Sequence, residues 1–192
     1  MIGEAFARIL ADARHADNRA WELIYRDLAR PLAGYFASHR VRDVDNLVGE
    51  TFLHVANSLG QFTGNESQFR SWVFTIAHRR MIDSVRRDTK RPQVSLEPAV
   101  LLALADASQR GENEVDHLVE QLYANGQIAA LLAELTTEQA EVLVLRFGAD
   151  LDATTVGELT NRSTNAVAAL TARALTRLRE LLDASPVDPF AR

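Results

Sequence analysis

One uninterrupted stretch limits the fold more than any other part of this chain. It runs from Phe69 to Arg91, contains neither glycine nor proline, and stops at Pro92. Because proline removes a backbone donor and clashes with the preceding turn, it commonly marks where a helix has ended. The run therefore predicts one long α-helix that begins after a cap at Ser67.

The two halves of this predicted helix carry different kinds of side chain on the same face. At about 100° per residue, the first half places an apolar stripe on one face. That stripe consists of Phe69, Trp72, Val73, Ile76 and Ala77. The continuation of the same face is charged. The charged set is Arg79, Arg80, Asp83, Arg86 and Arg87. This pattern is typical of a helix that is anchored in a core and offers its other end to a polyanion.

The arginine-rich end has two interpretations. It can be a plain solvated face, since cations are favourable at the C-terminal end of a helix dipole. The alternative, nucleic-acid binding, is favoured by nearby aromatic residues and the polar loop 63–67, because aromatic and basic side chains together suit stacking on unpaired bases. Aromatic residues at helical spacing usually pack inward, so Phe69 and Trp72 are expected in the core. Phe62 is expected to be the freer one.

The distribution of charge supports a local basic patch. The net charge of −5 argues by itself against a nucleic-acid partner. However, residues 1–96 hold 14 Lys and Arg against 11 Asp and Glu, whereas residues 97–192 hold 7 against 15. The basic residues crowd between Arg70 and Arg91, so the average hides the patch. A protein that binds DNA only together with a larger partner can carry this balance.

The composition argues against several other classes of protein. The chain has no cysteine, so it has no disulfide framework and no thiolate metal site. No stretch approaches 18 uncharged apolar residues and no signal-peptide pattern begins the chain, so we expect a cytoplasmic protein without membrane insertion. The five histidines lack ligand-like spacing, and no phosphate loop or nucleophile elbow is present. We expect no catalytic residue, no metal and no cofactor.

Helical periodicity recurs in nearly every segment, and few runs alternate apolar and polar residues as strands do. We therefore predict an all-α protein. Before the long helix, we expect a helix over residues 4–14 and a second from Asn18, with Tyr25 among its buried residues and a kink or restart at Pro31. Asp43 is expected to cap a third helix that runs to Leu59.

The second half predicts a separate helical unit. A proline-containing acidic segment, residues 92–125, is typical of a linker. After it, Thr136 to Gln139 fits a capping box, and Gly148 should end the helix that the box opens. Asp152 and Ser163 can cap a short helix and a longer one.

A short helix, a tight turn and a longer helix, preceded by a packing helix, predict a helix-turn-helix. The domains expected are therefore 1–91 and 126–184, two small helical domains joined by the linker. The tail 185–192 is expected to be disordered.

Three blocks of sequence, in this order, carry a family resemblance. They are Asp43-Val-Asp-Asn-Leu-Val-Gly-Glu-Thr-Phe, the run Phe69–Arg87, and Leu135–Leu182 with Arg162-Ser-Thr-Asn-Ala-Val at the start of its last helix. Together they resemble the extracytoplasmic-function (ECF) sigma factors, which are small bacterial transcription initiation factors of two domains. In that family the first block docks on the clamp of core RNA polymerase, the second melts and reads the −10 promoter element, and the third reads the −35 element.

The resemblance implies a factor that binds core RNA polymerase, at its clamp and flap regions, and promoter DNA. An anti-sigma factor is a further candidate partner. The residues implied at the −10 element are Phe62, Asn65, Arg70, His78, Arg79, Arg80, Asp83, Arg86 and Arg87. Those implied at the −35 element are Arg162, Ser163, Thr164, Asn165, Ala168 and Arg173. Those implied to bind polymerase are Asp45, Asn46, Leu47, Glu50 and Thr51.

Some positions depart from the family pattern. Asn46 and Gly49 stand where the family usually has Asp and Gln, and the last helix is neutral where the family often has basic residues. Ala168, Thr171 and Ala172 are the neutral positions. This departure keeps an alternative open, namely a sigma-like interaction protein that binds polymerase or a regulator without selecting promoters.

Overall fold

The computed structural model describes residues 2–88 and 128–184, so the predicted linker and tail lie outside the described residues. Within those two ranges the chain is helical and contains no strand, which confirms the all-α prediction. The helices are α1 (Phe6–Arg14), α2 (Asn18–Ser38), α3 (Val44–Ser58), α4 (Glu66–Asp88), α5 (Ile128–Ala133), α6 (Thr137–Leu143), α7 (Ala153–Thr160) and α8 (Thr164–Ala184). Single 3₁₀ turns, Gly3–Ala5 and Leu59–Gln61, precede α1 and follow α3. A π-helical turn, Val144–Gly148, continues α6.

Side-chain caps begin most of these helices where the sequence predicts them. Asp43 and Asp152 each accept a hydrogen bond from the backbone N–H three residues later, at 3.1 and 2.8 Å. Thr136 and Gln139 form both halves of a capping box. The start of α4 differs from the prediction, because Asn65 rather than Ser67 caps it through reciprocal bonds with Gln68. The long helix therefore begins at Glu66, two residues earlier than a cap at Ser67 predicts.

Two features of α2 differ from what the sequence predicts. Of the kink or restart expected at Pro31, the restart does not occur, because one helix runs through the proline. Packing explains this, because Leu28 and Leu32 on either side of the proline are fully buried, and tertiary packing supplies most of the stability of a protein helix. Tyr25 is 54% exposed rather than buried, and its ring lies 4.7 Å from that of Phe52 on the outer surface of α2 and α3.

The first four helices pack around a core that α4 crosses with its N-terminal half. Of the predicted stripe on α4, four residues are buried and Trp72 is half-buried, so the predicted inner face is confirmed. On α3, the inner face consists of buried Leu47, Val48, Thr51 and Val55. The C-terminal half of α4 leaves this core and presents the predicted charged face.

Helices α7 and α8 form the helix-turn-helix. Asn161 ends α7 in the left-handed conformation, with φ of 55°, and the Arg162 N–H then donates to the Gly157 carbonyl at 2.8 Å. Asparagine is one of the few residues that adopts this conformation at low cost. Helices α5, α6 and α8 enclose a small apolar cluster of their own. It consists of Leu135, Ala140, Leu143, Ala174, Leu175 and Leu178.

The two helical groups also pack against each other. Helix α2 contacts α5, α6 and the π-helical turn, and α4 contacts α7. Buried residues of the second group, among them Val142, Leu145 and Leu151, join the core of the first group in one continuous cluster. The helices thus form two groups, as predicted, but one apolar core connects the two groups.

Candidate nucleic-acid interface

The arginine face of α4 is assembled as the sequence predicts. Arg79, Arg86 and Arg87 are exposed, and Asp83 lies exposed among them. The Arg87 side chain donates to the Asp83 carbonyl at 3.3 Å, which keeps it close to its own helix. These side chains and the apolar stripe belong to one continuous helix. The packing of its N-terminal half in the core therefore fixes the position of the arginine face.

Arg80 links this face to α3. Its guanidinium lies 3.7 Å from a carboxylate oxygen of Glu50 and 3.4 Å from His54 Nδ1. Both charged partners are about one-third exposed, so water screens the attraction between them. The contact nevertheless joins a residue predicted for DNA to one predicted for polymerase.

The expectation that Phe62 is the freer aromatic residue is wrong. Phe62 is only 8% exposed, and its ring stacks on Trp72 with 5.1 Å between centroids. Its carbonyl accepts a hydrogen bond from Arg14 Nη2 at 2.5 Å, and its ring also meets Phe69 edge-on. Helical spacing could not reveal this burial, because Phe62 lies outside the helix and is covered by residues from α1 and α4.

Asn65 is exposed, and its side chain is already used as the cap of α4. The adjacent Glu66 carboxylate accepts from the backbone N–H groups of Ile2 and Gly3, at 2.5 and 2.8 Å. The start of the chain is therefore tied to the start of α4. These bonds hold the C-terminal end of the loop that precedes α4, and the bond from Arg14 to the Phe62 carbonyl holds its other end.

Arg70 occupies a buried position that its place in the sequence did not suggest. It is only 3% exposed, and its guanidinium forms an ion pair with Asp27. Its Nε–H donates to the carbonyl of Ala149 at 2.8 Å, which reaches across to the second helical group. In this arrangement Arg70 is not available to DNA.

His78 is half-buried rather than free. Its Nδ1 is hydrogen-bonded to the Tyr35 hydroxyl at 2.7 Å. Burial lowers the pKa of His78, while the nearby Glu141 carboxylate raises it to a smaller extent. Burial also raises the pKa of Tyr35, so the hydroxyl keeps its proton and can donate it to a neutral imidazole. The residue is thus held as a neutral structural partner beside the arginine face.

The residues predicted to bind polymerase divide into a surface set and a buried set. Asp45 and Asn46 are exposed, and the Asn46 amide donates to Glu50 at 3.1 Å. Leu47 and Thr51, in contrast, are 2% and 0% exposed and lie inside the core. A partner on this face of α3 could therefore touch Asp45, Asn46 and Glu50 directly. Leu47 and Thr51 support the helix from the core side.

The start of α8 presents an exposed polar surface. Ser163, Thr164 and Asn165 are exposed, and the Ser163 hydroxyl caps the helix by accepting from the Ala166 N–H at 3.2 Å. Further along, Ala168 and Arg173 are exposed too. Five of the six predicted residues are therefore exposed, four of them within the first turns of α8 and Arg173 near the middle of the helix.

The sixth residue, Arg162, is bound to Glu141, a residue that the sequence patterns did not indicate as part of the site. Its Nη1 donates to Glu141 Oε2 at 2.7 Å, and the other carboxylate oxygen lies 3.1 Å from Nε2 of His39. Burial by itself raises the pKa of Glu141, but the hydrogen bonds and charges of His39 and Arg162 outweigh it and hold the pKa below its ordinary value. Glu141 is therefore an ionised carboxylate at the junction of both helical groups.

A signal for Glu141 does exist in the sequence. It lies one helical turn before the buried Leu145 and therefore on the same face of the helix, where a lone carboxylate needs a partner. Its partners are 21 and 102 residues away along the chain, so spacing could not identify them.

Neither a metal cluster nor a membrane helix is found in residues 2–88 and 128–184. In those ranges, no group of three His, Asp or Glu side chains is placed to hold a metal ion. No helix there has both the length and the apolar character needed to cross a bilayer.

Comparison with known proteins assigns both halves of the chain to one family. Residues 23–91 match Sigma-70 region 2, and residues 131–180 match Sigma-70, region 4. The chain is similar to the RNA polymerase sigma factor YlaC of Bacillus subtilis, with 24% identity over 83% of this chain and 90% of that protein. It is also similar to the ECF RNA polymerase sigma factor BldN of Streptomyces coelicolor, with 26% identity over 72% of this chain. That match spans only half of BldN.

A solved structure shares the fold. It is that of CnrH in complex with the cytosolic domain of CnrY, with a TM-score of 0.56 and 23% identity over 95% of this chain and 99% of that one. The arginine face of α4 lies in the part matched to region 2, and the exposed start of α8 lies in the part matched to region 4.

Proposed function

This chain belongs to the sigma-70 family, and from that premise we propose that it is an ECF sigma factor that binds core RNA polymerase and directs promoter recognition and melting. The observation that carries the proposal is the joint presence of two surfaces on one chain. The first is the arginine face of α4 and the second is the exposed start of α8. A protein with only one of these surfaces could bind DNA but could not hold two promoter elements.

At the −10 element, the arginine face has the chemistry needed to hold separated strands. Arg79, Arg80, Arg86 and Arg87 would neutralise phosphates along the strand. Unstacking a base costs a few kcal/mol, and these contacts would offset that cost once the strands part. The loop 62–65, held at both ends, would accept the flipped base, with Phe62 supporting it from beneath rather than stacking on it.

At the −35 element, the N-terminal end of α8 would enter the major groove. Ser163, Thr164 and Asn165 would then lie near base edges, as the first residues of a recognition helix do. The helix has no basic residue between Ser163 and Ala172, so few phosphates would be neutralised there. Recognition of this element would therefore depend on polymerase holding the domain in place.

Polymerase would be held through α3 and through the second helical group. Asp45, Asn46 and Glu50 offer an acidic and polar surface suited to a basic patch on the clamp. The second group would meet the flap. Transcription initiation at chromosomal promoters would take place in the cytoplasm, so the proposed function implies a cytoplasmic protein. An anti-sigma factor is a candidate regulator. The chain itself performs no covalent step in this scheme.

A second candidate function is an interaction protein that binds polymerase or a regulator without selecting promoters. The neutral surface of α8 favours it, since Ala168 and Ala172 are exposed and contribute no charge to a DNA contact. Both candidates allow binding to polymerase, so promoter-dependent activity is the property that separates them.

The test is run-off transcription with bacterial core RNA polymerase on fragments selected from genomic DNA. The proposed function predicts discrete transcripts that require the protein and begin at a fixed distance from a shared pair of sequence elements. Binding to core polymerase without any specific transcript would instead support the interaction protein. Absence of polymerase binding would contradict the proposed function and would leave only an interaction protein that binds a regulator.

A further inference from the structure

The first helix and the turn before it lie outside the part of the chain that matches the sigma-70 family. The match to region 2 begins at residue 23, so it includes neither α1 nor the turn Gly3–Ala5. Helix α1 is nevertheless part of the core, because four of its nine residues are buried. The role of the segment 2–14 therefore has to be inferred from its own contacts.

At the C-terminal end of α1, Arg14 holds the beginning of the loop 62–65. Its Nη2 donates to the Phe62 carbonyl at 2.5 Å. Hydrogen bonds from a charged donor stabilise more than neutral ones do. This end of α1 is itself tied to α2, because the Trp21 indole N–H donates to the Ala13 carbonyl at 3.0 Å. Arg14 therefore reaches the loop from an anchored helix.

At the start of the same segment, two backbone N–H groups hold the other end of the loop. Those of Ile2 and Gly3 donate to the carboxylate of Glu66 at 2.5 and 2.8 Å. Glu66 is the first residue of α4 and directly follows the loop. The segment 2–14 thus contacts the chain at both ends of one short loop.

Aromatic rings form a floor between these two contacts. Phe62 stacks on Trp72 with 5.1 Å between centroids, and it meets Phe69 at 5.3 Å. Helix α1 adds the ring of Phe6, which lies 5.5 Å from that of Phe69. The three loop residues after Phe62 are exposed, so the loop is open to solvent beyond this floor.

The loop is also closely packed at Gly64. A Cβ at this position would lie 2.7 Å from Oε1 of Gln68 and 3.0 Å from the ring of Phe62. The same Gln68 oxygen accepts a hydrogen bond from the Asn65 N–H at 2.9 Å, which holds it in place. Such packing favours one shape of the loop, and a preformed site binds its ligand without the cost of ordering it first.

We propose that the segment 2–14 braces the loop 62–65 in the shape that receives an unpaired base of the −10 element, with Arg14 and Glu66 as positioning residues. The brace itself is independent of the function proposed above, whereas its effect on base capture rests on that function. A ligand that binds only one shape binds more weakly by the fraction of molecules in that shape. Loss of either bond should therefore weaken capture of the base and spare the contacts to phosphates.

The brace is tested in the free protein, without DNA, by hydrogen exchange of the full chain measured by NMR. The amides of Phe62 and Asn65 report on the loop, since both are hydrogen-bonded in the structure. Arg14→Ala and Glu66→Ala are each expected to speed their exchange by about tenfold. Arg14→Lys, which keeps a charged donor, should restore most of the protection.

The matched controls are Arg8→Ala and Glu4→Ala, which remove the same charges at exposed positions of the same segment. Both should exchange as the wild type does. Wild-type protection of the loop in both Arg14→Ala and Glu66→Ala would overturn the brace.

Base capture is measured with the complex of this protein and core RNA polymerase. The probes are single-stranded oligonucleotides that carry the non-template −10 strand of a promoter found by run-off transcription. A series in which each lacks one base identifies the captured base as the one whose removal weakens binding most. Arg14→Ala and Glu66→Ala should lower affinity for the intact strand by about fivefold to tenfold. Their affinity for the strand that lacks the captured base should equal that of the wild type.

The strand without the captured base separates positioning from a general loss of structure. An equal loss of affinity for both strands would overturn the positioning role, as would wild-type affinity of both alanine variants for the intact strand. If wild-type binding depends on no single base, the proposed base capture is refuted together with the effect that rests on it. In that case the exchange measurement still decides whether the brace exists.

Discussion

At the scale of single residues, the exposure of each cation depends on whether its neighbours come from its own helix or from other parts of the chain. The exposed arginines of α4 follow from helical spacing, and they are exposed in the structure. Arg70 and Phe62 lie upstream of them and are buried, because their surroundings come from α1, α2 and the second helical group. A side chain's partners more than about one turn away are not encoded in spacing, so these two positions could not be predicted.

Glu50 offers the sharpest single-residue test of polymerase docking. Reversal to Lys would place a cation beside Arg80, whose guanidinium lies 3.7 Å away, and this exposed change should cost at most about 1 kcal/mol of folding stability. Charge complementarity with the polymerase would be lost, so affinity should fall by roughly tenfold. Titrated pull-down with core polymerase measures this. Glu22→Lys, which breaks an exposed pair with Arg26, is the matched control and should bind normally.

At the scale of helices, most elements were predictable because their start signals are local. Asp43, Thr136, Asp152 and Ser163 all cap helices as their positions in the sequence indicate. The predicted restart at Pro31 fails because the buried residues around it stabilise one continuous helix more than a missing hydrogen bond destabilises it. Capping patterns in the sequence thus predict where a helix begins more reliably than a proline predicts where a helix is interrupted.

The arginine face of α4 is testable as a unit. Replacement of Arg79, Arg80, Arg86 and Arg87 together with Ala should leave the fold intact, since none of these residues is in the buried core. Loss of four cations should abolish promoter opening while leaving binding to core polymerase largely unchanged. Permanganate reactivity of unpaired thymines would measure opening. Alanine at Arg177 and Arg179, which are also exposed, controls for charge lost elsewhere on the protein. If the α4 variant opens promoters at wild-type levels, its arginines have no role in promoter opening.

The turn of the helix-turn-helix depends on Gly157. A Cβ at this position would lie 2.5 Å from the carbonyl oxygen of Arg162, a backbone atom that cannot move aside cheaply. We expect Gly157→Ala to reduce the free energy of unfolding by about 1–3 kcal/mol, as overpacking does. Urea unfolding followed by circular dichroism would measure it. Gly49→Ala, at an exposed helix position with open space around it, should instead stabilise by about 0.5–1 kcal/mol.

The neutral start of α8 predicts weak binding to duplex DNA by the protein alone, with a shallow salt dependence. Ala168 is exposed one turn into the helix, where a lysine would reach the phosphate backbone. Ala168→Lys should raise affinity and steepen the slope of log affinity against log salt by about one. Fluorescence anisotropy of the full chain at several salt concentrations tests this, with Thr176→Lys as an equal charge gain farther along the helix. Tight binding with a steep slope by the unmodified protein would show that the missing charges come from elsewhere.

At the scale of the whole molecule, the sequence predicts two helical units but not their contact. The polar bonds that join the units connect residues 79 and 102 positions apart, and the apolar residues that meet have the same character as those inside each unit. No pattern distinguishes a side chain that packs within its own domain from one that packs on a neighbouring domain. Only the coordinates separate these cases, and they identify Glu141 as the centre of the contact.

The ionisable side chains of His78 and Glu141 should make the free energy of unfolding fall as the solution becomes acidic. The pKa of His78 is lowered in the folded chain, so below about pH 6.5 the unfolded chain takes up a proton first and the free energy of unfolding declines. The lowered pKa of Glu141 adds stability at higher pH that is lost as the pH falls below its ordinary value. Urea unfolding from pH 7.5 to 4 should show both declines. His78→Gln should remove the first and keep the second, while exposed His15→Gln should change neither. A wild-type stability that stays constant between pH 7.5 and 5 would contradict a neutral, hydrogen-bonded His78 beside Tyr35.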